Sequence, residues 1–195
     1  RKFPVTTLLK CLLSNSSEKY IEECDKNKIE PDQKRILGMR GEEILSTFYE
    51  SISYKKNDYG WQFKEDLAFY KSKILGFDLM DSKNGKILIT KGTKVNQKII
   101  NDIKKKNVSN LTVDENSLVG LYIASDIIDE KTGKIFYEAG FEIDEDCVNF
   151  LNSSKINKFD ILKVDNIEIG SYIRNTLQLD KATSREEALF ELFKI

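Results

Sequence analysis

The sequence predicts an α+β fold: helices from the two chain ends pack together, and a duplicated hairpin–helix–strand unit occupies the middle. Three observations carry this reading. Apolar residues recur at helical spacing towards both ends, as in Ile44, Leu45 and Phe48, and again in Ala188, Leu189 and Leu192. Between them, short runs rich in Ile, Leu, Val and Phe are punctuated by glycine turns, as in hairpins. Two twelve-residue stretches also nearly repeat. Asp81 to Gly92 reads DSKNGKILITKG, and Asp129 to Gly140 reads DEKTGKIFYEAG.

Each element follows from local chemistry. Pro4 to Leu13, PVTTLLKCLL, reads as a helix with proline at its first position, where the missing N–H costs nothing. The polar stretch SNSSEKYIEECDKNKIEPDQKR reads as a short helix and a loop. Arg40 to Tyr54 places Ile44, Leu45, Phe48 and Ile52 at helical spacing. Asn57-Asp58-Tyr59-Gly60 is a turn signal between two short extended segments. KEDLAFYKSKILG is ambiguous between helix and irregular structure.

The repeat follows at an offset of 48 residues. Asp78 matches Asp126, Asp81 matches Asp129, Gly85-Lys86-Ile87 matches Gly133-Lys134-Ile135, and Gly92 matches Gly140. Val95, Ile99, Ile100 and Ile103 then align with Ile143, Cys147, Val148 and Leu151, an apolar helical stripe in both copies. Leu111 and Val113 align with Phe159 and Ile161 in strand-like runs. With a slip of two, GLYI at Gly120 echoes GSYI at Gly170. Asn84-Gly85 is a strong hairpin turn, because both residues tolerate positive φ, and Thr132-Gly133 is a weaker one. Two copies are too few for a solenoid, so a paired, pseudo-symmetric α/β unit is expected. In the last segment, Ser184 and Glu187 form a capping box ahead of a helix. Its apolar face, Ala188, Leu189, Leu192 and Phe193, is expected to pack on the N-terminal helices.

Composition excludes several functions. The net charge is −1, so the chain as a whole is not a basic nucleic-acid glove. Histidine is absent, which removes the commonest general base and zinc ligand. Cys11, Cys24 and Cys147 form no CxxC pair and are odd in number, as in a reducing compartment. No apolar run approaches the roughly 18 residues of a membrane span. The chain begins Arg1-Lys2-Phe3-Pro4 and stops inside an apolar-periodic helix, which predicts a piece of a longer polypeptide.

GKILITKGT lacks the order of a phosphate loop, so a hairpin scaffold is the better reading. Asp126, Asp129, Glu130, Glu142, Asp144, Glu145 and Asp146 do not follow a calcium loop, and acid in a first helical turn suits the macrodipole. Glu42 and Glu43 are adjacent on a helix and read as solvated surface. Cys147 and Trp61 read as core. Arg1 and Lys2, just before the first helix, read either as a solvated terminus, which charge alone favours, or as a phosphate contact.

Four blocks carry a resemblance: RKFPVTTLLKCLL, RGEEILSTFYESISYKKNDYGW, GKILITKG with VGLYIASDIIDEKTGKIFYEAG, and GSYIRNTLQLDKATSREEALFELFKI. In order and spacing they resemble the β subunit of bacterial DNA-directed RNA polymerase, of the proteobacterial and closest to the alphaproteobacterial type. The resemblance covers nearly the whole chain. It implies the lobe, or β2 domain, over 1–72 and 169–195. Residues 73–168 would be the external 1 insertion, with its tandem repeat at 78–120 and 126–168. It implies a non-catalytic part in transcription, within a nucleotidyltransferase, as one wall of the downstream DNA channel. The active site, and the Mg the whole polymerase is expected to use, would lie elsewhere, with no catalytic, cofactor or metal residue in this segment. Arg1 and Lys2 are carried over as the DNA-proximal pair. The implied partners are the β′, α and sigma subunits, downstream DNA contacted weakly or only in the assembled enzyme, and protein regulators on the insertion. The implied location is cytoplasmic and nucleoid-associated, with no membrane. SNSSEKYIEECDKNKIEPDQKRIL is longer than the family's usual link at that point. The rival reading is a free-standing protein-interaction adaptor built on the same duplicated unit.

Overall fold

The computed structural model describes residues 3–106, 108, 110–129, 131–165 and 169–194. The described chain is a mixed α+β fold with seven helices and mostly antiparallel strands. α1 (Val5–Cys11) starts behind Pro4, which occupies the N-cap rather than the first helical position. α2 (Asn15–Asn27) is capped by the Ser14 hydroxyl, which accepts from Ser17 N–H at 3.2 Å, and ends at Lys28 in the left-handed conformation. At 13 residues it is the longest of the described helices.

α3 (Gly41–Phe48) stops four residues short of Ile52. From Ser51 the chain alternates instead: Ser51, Ser53 and Lys55 are exposed while Tyr54 is buried and Ile52 half-buried. Period two wins because both faces of this segment are used, so Ile52 belongs to strand β1 (Ser51–Asn57). Asn57 Oδ1 accepts from Tyr59 N–H at 2.9 Å and turns the chain into β2 (Gly60–Phe63). The ambiguous stretch that follows contains a 3-10 turn at Leu67–Tyr70.

The middle of the chain runs β3 (Leu79–Asp81), β4 (Ile87–Ile89), α4 (Gln97–Lys105) and β5 (Leu111–Val113). It continues with β6 (Ile127–Ile128), β7 (Ile135–Tyr137), α5 (Glu145–Ser153) and β8 (Lys158–Leu162). Individual hydrogen bonds recur at positions 48 apart. Asp78 accepts from Lys91 N–H at 2.6 Å, and Asp126 from Ala139 N–H at 2.7 Å. Asn96 caps α4 through Ile99 N–H at 2.9 Å, and Asp144 caps α5 through Cys147 N–H at 2.8 Å. Gly92 N–H reaches Leu75 O at 2.8 Å, and Gly140 N–H reaches Ile123 O at 2.7 Å. Both hairpins carry a register shift at the same place.

Three details differ from the sequence reading. The hairpin loop after Asp81 needs positive φ only at Gly85 (67°), not at Asn84, because the Asp81 carboxylate holds Lys83 N–H at 3.0 Å and builds a helical turn. The backbone counterpart of Gly120–Ile123 is Ser72–Leu75: Val95 N–H meets Lys73 O as Ile143 N–H meets Leu121 O. Gly170–Ile173 leads into a helix and is not part of that pattern. The two segments also join sheets differently. β5 pairs with both β2 and β3, whereas β8 pairs with β1 and is bridged by Ile123, and β6–β7 stand as a separate ribbon.

The six-stranded sheet has the order β4-β3-β5-β2-β1-β8, every neighbour antiparallel. Its inner face and α4 and α5 enclose one core. Trp61 sits at its centre, fully buried, edge-on to Phe159 at 4.8 Å, while Tyr54 stacks on Phe63 at 4.7 Å. A second core joins α3 to α6 (Tyr172–Leu179) through Ile44, Leu45, Tyr49 and Leu177, and takes in Ala124, Ala139 and Leu162. α7 (Arg185–Phe193) packs on α1. Ala188 is buried and Leu189 and Leu192 are half-buried, but Phe193 is 92% exposed.

Candidate functional site

Arg1 and Lys2, the expected DNA-proximal pair, lie outside the described residues. Glu130, of the acidic cluster, does too. The strongest polar constellation among the described residues lies just beyond that pair, where the two ends of the chain meet. α1 presents Thr6, Thr7 and Lys10 at successive positions of one face. The loop between α6 and α7 presents Asp180, whose side chain is 2% exposed. Its carboxylate accepts from Thr6 Oγ1 at 2.7 Å, Thr7 Oγ1 at 3.0 Å and Ala182 N–H at 3.1 Å, and pairs with Lys10 Nζ at 3.2 Å. Lys10 also donates to Ala182 O at 2.5 Å, and Arg185 Nε donates to Cys11 O at 3.0 Å. Burial works to raise the Asp180 carboxyl, but the Thr6, Ala182 and Lys10 donors outweigh it and hold it below the usual carboxylate value.

A second latch fastens the β6–β7 segment to the helices. Arg174 on α6 donates Nε–H to Gly140 O at 2.5 Å, lies 3.6 Å from Glu142 and stacks its guanidinium 4.4 Å over the Tyr122 ring. Tyr49, at the C-cap of α3, fixes the start of α6, donating to Gly170 O at 3.1 Å and accepting from Ile173 N–H at 3.2 Å. The approach is close: a Cβ at Gly140 would meet Gln178 Nε2 at 3.1 Å and Leu45 Cδ1 at 3.2 Å. Between the two latches runs a groove of about 490 Å³, lined by Lys10, Arg40 and Arg185 and by Asp126, Glu138 and Asp180. Mixed signs of charge do not focus a field for a polyanion.

Several other titratable residues have structural contacts. Asp144, Glu145 and Asp146 occupy the N-cap and first turn of α5, as the macrodipole favours. Glu43, read as surface, is half-buried and also acts as a cap: it accepts from Arg40 N–H at 2.9 Å and Asn15 N–H at 3.0 Å, joining the starts of α3 and α2. Lys73 and Lys163 flank the Phe69 ring at 3.6 and 4.7 Å, with Lys73 paired to Asp165 at 2.6 Å. Burial pushes the Cys147 thiol up to about 11. Among the described residues no group of three His, Cys, Asp or Glu is placed to hold a metal ion, and no helix is long and apolar enough to cross a membrane.

Asp180, Arg174 and Glu43 were not singled out for these roles by sequence. Their signal is tertiary, since each gains its meaning from a partner far along the chain. Only Glu43, three residues after Arg40 at a helix start, has the spacing of a capping residue.

Fold and latches together define an α+β scaffold whose first and last described helices are locked to each other and to the β6–β7 segment. No protein-family model matches the chain. Curated relatives do. It is 36% identical to the DNA-directed RNA polymerase subunit beta of Agrobacterium fabrum over 159 residues, which is 82% of this chain and 12% of that protein. It is 43% identical to the subunits of the same name from Brucella canis and Brucella abortus, with the same coverage. The chain is thus homologous to a segment of the proteobacterial RNA polymerase β subunit, and spans 12% of the length of the relatives it matches.

Proposed function

We propose that this chain acts in transcription as a non-catalytic segment of an RNA polymerase β subunit, one part of a nucleotidyltransferase of the bacterial cytoplasm. In this reading residues 1–72 and 169–195 form the lobe along the downstream DNA channel. Residues 73–168 are an insertion of two copies of one hairpin–helix–strand unit, open to protein regulators. The partners are the β′, α and sigma subunits. The Mg of the polymerase belongs to other parts of the enzyme. The observation that carries the proposal is 36–43% identity to β subunits over 82% of the chain. Two structural observations support it: the latch built on Asp180 ties the first and last described helices together, and Asp126 and Asp144 of the acidic cluster hold a turn and cap a helix.

The experiment is to tag the chromosomal copy of the gene and identify co-purifying proteins by mass spectrometry. The expected result is a polypeptide far longer than 195 residues that brings down β′, α and sigma. Recovery of a chain of about this size, alone, overturns the proposal in favour of a free-standing adaptor. In the assembled enzyme, Arg1→Glu with Lys2→Glu is expected to weaken retention on duplex DNA at every sequence, with a shallower salt dependence. An unchanged salt slope removes the DNA role of that pair.

A further inference from the structure

The two middle segments share a backbone but not their surroundings, and the contrast points to a binding surface. In the second, the turn at Gly140 is covered by the α6 helix. Gly140 O takes a hydrogen bond from Arg174, Glu142 faces the same guanidinium, and Tyr122, Ala124 and Ala139 lie in the helical core. The matching positions of the first segment are Gly92, Lys94, Ile74, Gly76 and Lys91. All are exposed, Ile74 by 68%. A Cβ added at Gly92 or Gly76 would meet nothing within 4 Å, where one at Gly140 strikes α6 and α3 side chains. The backbone bridge beneath is the same in both: Ile74 pairs with Lys94 as Tyr122 pairs with Glu142.

We propose that the surface around the Gly92 turn docks an acidic helix of a partner protein, in the way the Gly140 turn docks α6. This rests on the reading of the middle segments as a regulator-docking insertion, and it names the place and the partner's chemistry. The glycines let a helix approach closely. Ile74 supplies an apolar contact. The charge is reversed: Lys94 stands where Glu142 meets Arg174, and Lys91 where Ala139 is covered. The complementary helix therefore carries Glu or Asp at the position that Arg174 holds in α6, with an apolar side chain beside it for Ile74.

The probe is a stapled helical peptide of the sequence Ser171–Asp180 carrying Arg174→Glu, since an unstapled helix of this length is marginal in water. It is titrated into the isotope-labelled chain, and the amide resonances of Ile74, Gly92 and Lys94 are followed. The expected result is saturable shifts at these residues with a Kd of roughly 0.1–1 mM. Lys94→Glu, an exposed substitution, weakens that peptide about fivefold, the worth of an exposed ion pair, and strengthens the unmodified Arg174 peptide by a similar factor. Ile74→Asp weakens both peptides. Absence of saturable shifts at several millimolar, or binding indifferent to the charge exchange, overturns the proposal. So does preferential binding of a short random-sequence DNA duplex at these residues, which would make the surface a phosphate site. The assay uses the chain alone, so its failure leaves the polymerase reading, tested by co-purification, untouched.

Discussion

Removing the Asp180 carboxylate should unlock the two chain ends from each other. Asp180→Ala leaves Thr6 Oγ1, Thr7 Oγ1, Ala182 N–H and Lys10 Nζ without the acceptor they share at 2.7, 3.0, 3.1 and 3.2 Å. Hydrogen bonds to a charged group contribute about 1.5–3 kcal/mol each, but losses within one network do not add. Lys10 keeps its bond to Ala182 O at 2.5 Å and remains partly solvated, which offsets part of the cost. Removing one partner of a buried ion pair costs about 3–5 kcal/mol. The expected loss is therefore about 3–4 kcal/mol, or roughly 10 °C in Tm for a chain of this size.

Urea unfolding followed by circular dichroism measures it, with Asp180→Asn as the variant that keeps the shape and removes the charge. The pH dependence has a definite sign. The folded carboxyl sits below its ordinary value of 3.8. Its contribution is thus fully present above that value and is lost as pH falls through the lower folded value. The stability gap between the native chain and Asp180→Asn should stay level from about pH 8 to pH 5 and close on further acidification. A loss under about 1 kcal/mol for Asp180→Ala, or a gap that widens in acid, refutes the latch as drawn.

Two further outcomes follow from the same geometry. Gly85 and Gly133 share a left-handed φ of 67° and 69°, but a Cβ at Gly85 meets Tyr59 Cδ1 at 2.5 Å while one at Gly133 meets nothing within 4 Å. Both alanine variants should lose about 1 kcal/mol to backbone strain, and Gly85→Ala about 1 kcal/mol more in urea melts. Equal losses would mean that the Tyr59 ring swings aside freely. Cys147 is fully buried with its thiol raised to about 11, and Cys24 is buried, whereas Cys11 is only half-buried. At pH 8 a disulfide reagent should modify Cys11 first and Cys147 only as fast as the fold opens. Rapid modification of all three would refute the packing of α5.

The α+β class was readable because both periodicities are strong where the chain is buried on one side. The stripe Ile143, Cys147, Val148 and Leu151 predicts α5, and all four residues are buried. Helical spacing overruns the end of α3, because Phe48 and Ile52 fall at that spacing by coincidence. Phe48 is half-exposed, and Ile52 follows the alternation of β1. Phe193 fits the stripe of α7 yet is 92% exposed, while Ala188 of the same stripe is fully buried. The latches were not readable at all. Asp180 sits in a polar loop that any surface turn could carry, and its burial exists only once Thr6 and Thr7, far back in the chain, are brought beside it.

The β1–β2 hairpin explains why the middle of the molecule behaves as one body rather than two beads. β2 pairs with β5, with Trp61 opposite Val113, and β1 pairs with β8, with Tyr54 opposite Phe159. The hairpin therefore splices the final strands of both middle segments into a single sheet, and its inward side chains are the aromatic centre of the shared core. The second segment is fixed a second time, by Arg174 and the helical core, while the first meets the rest of the molecule through β2, the shared core and the Lys73–Asp165 ion pair at 2.6 Å. The Gly140 turn touches α6 directly through Arg174, whereas the Gly92 turn is exposed. On the docking proposal above, that asymmetry makes the Gly140 turn the anchored site and leaves the Gly92 turn open to a partner.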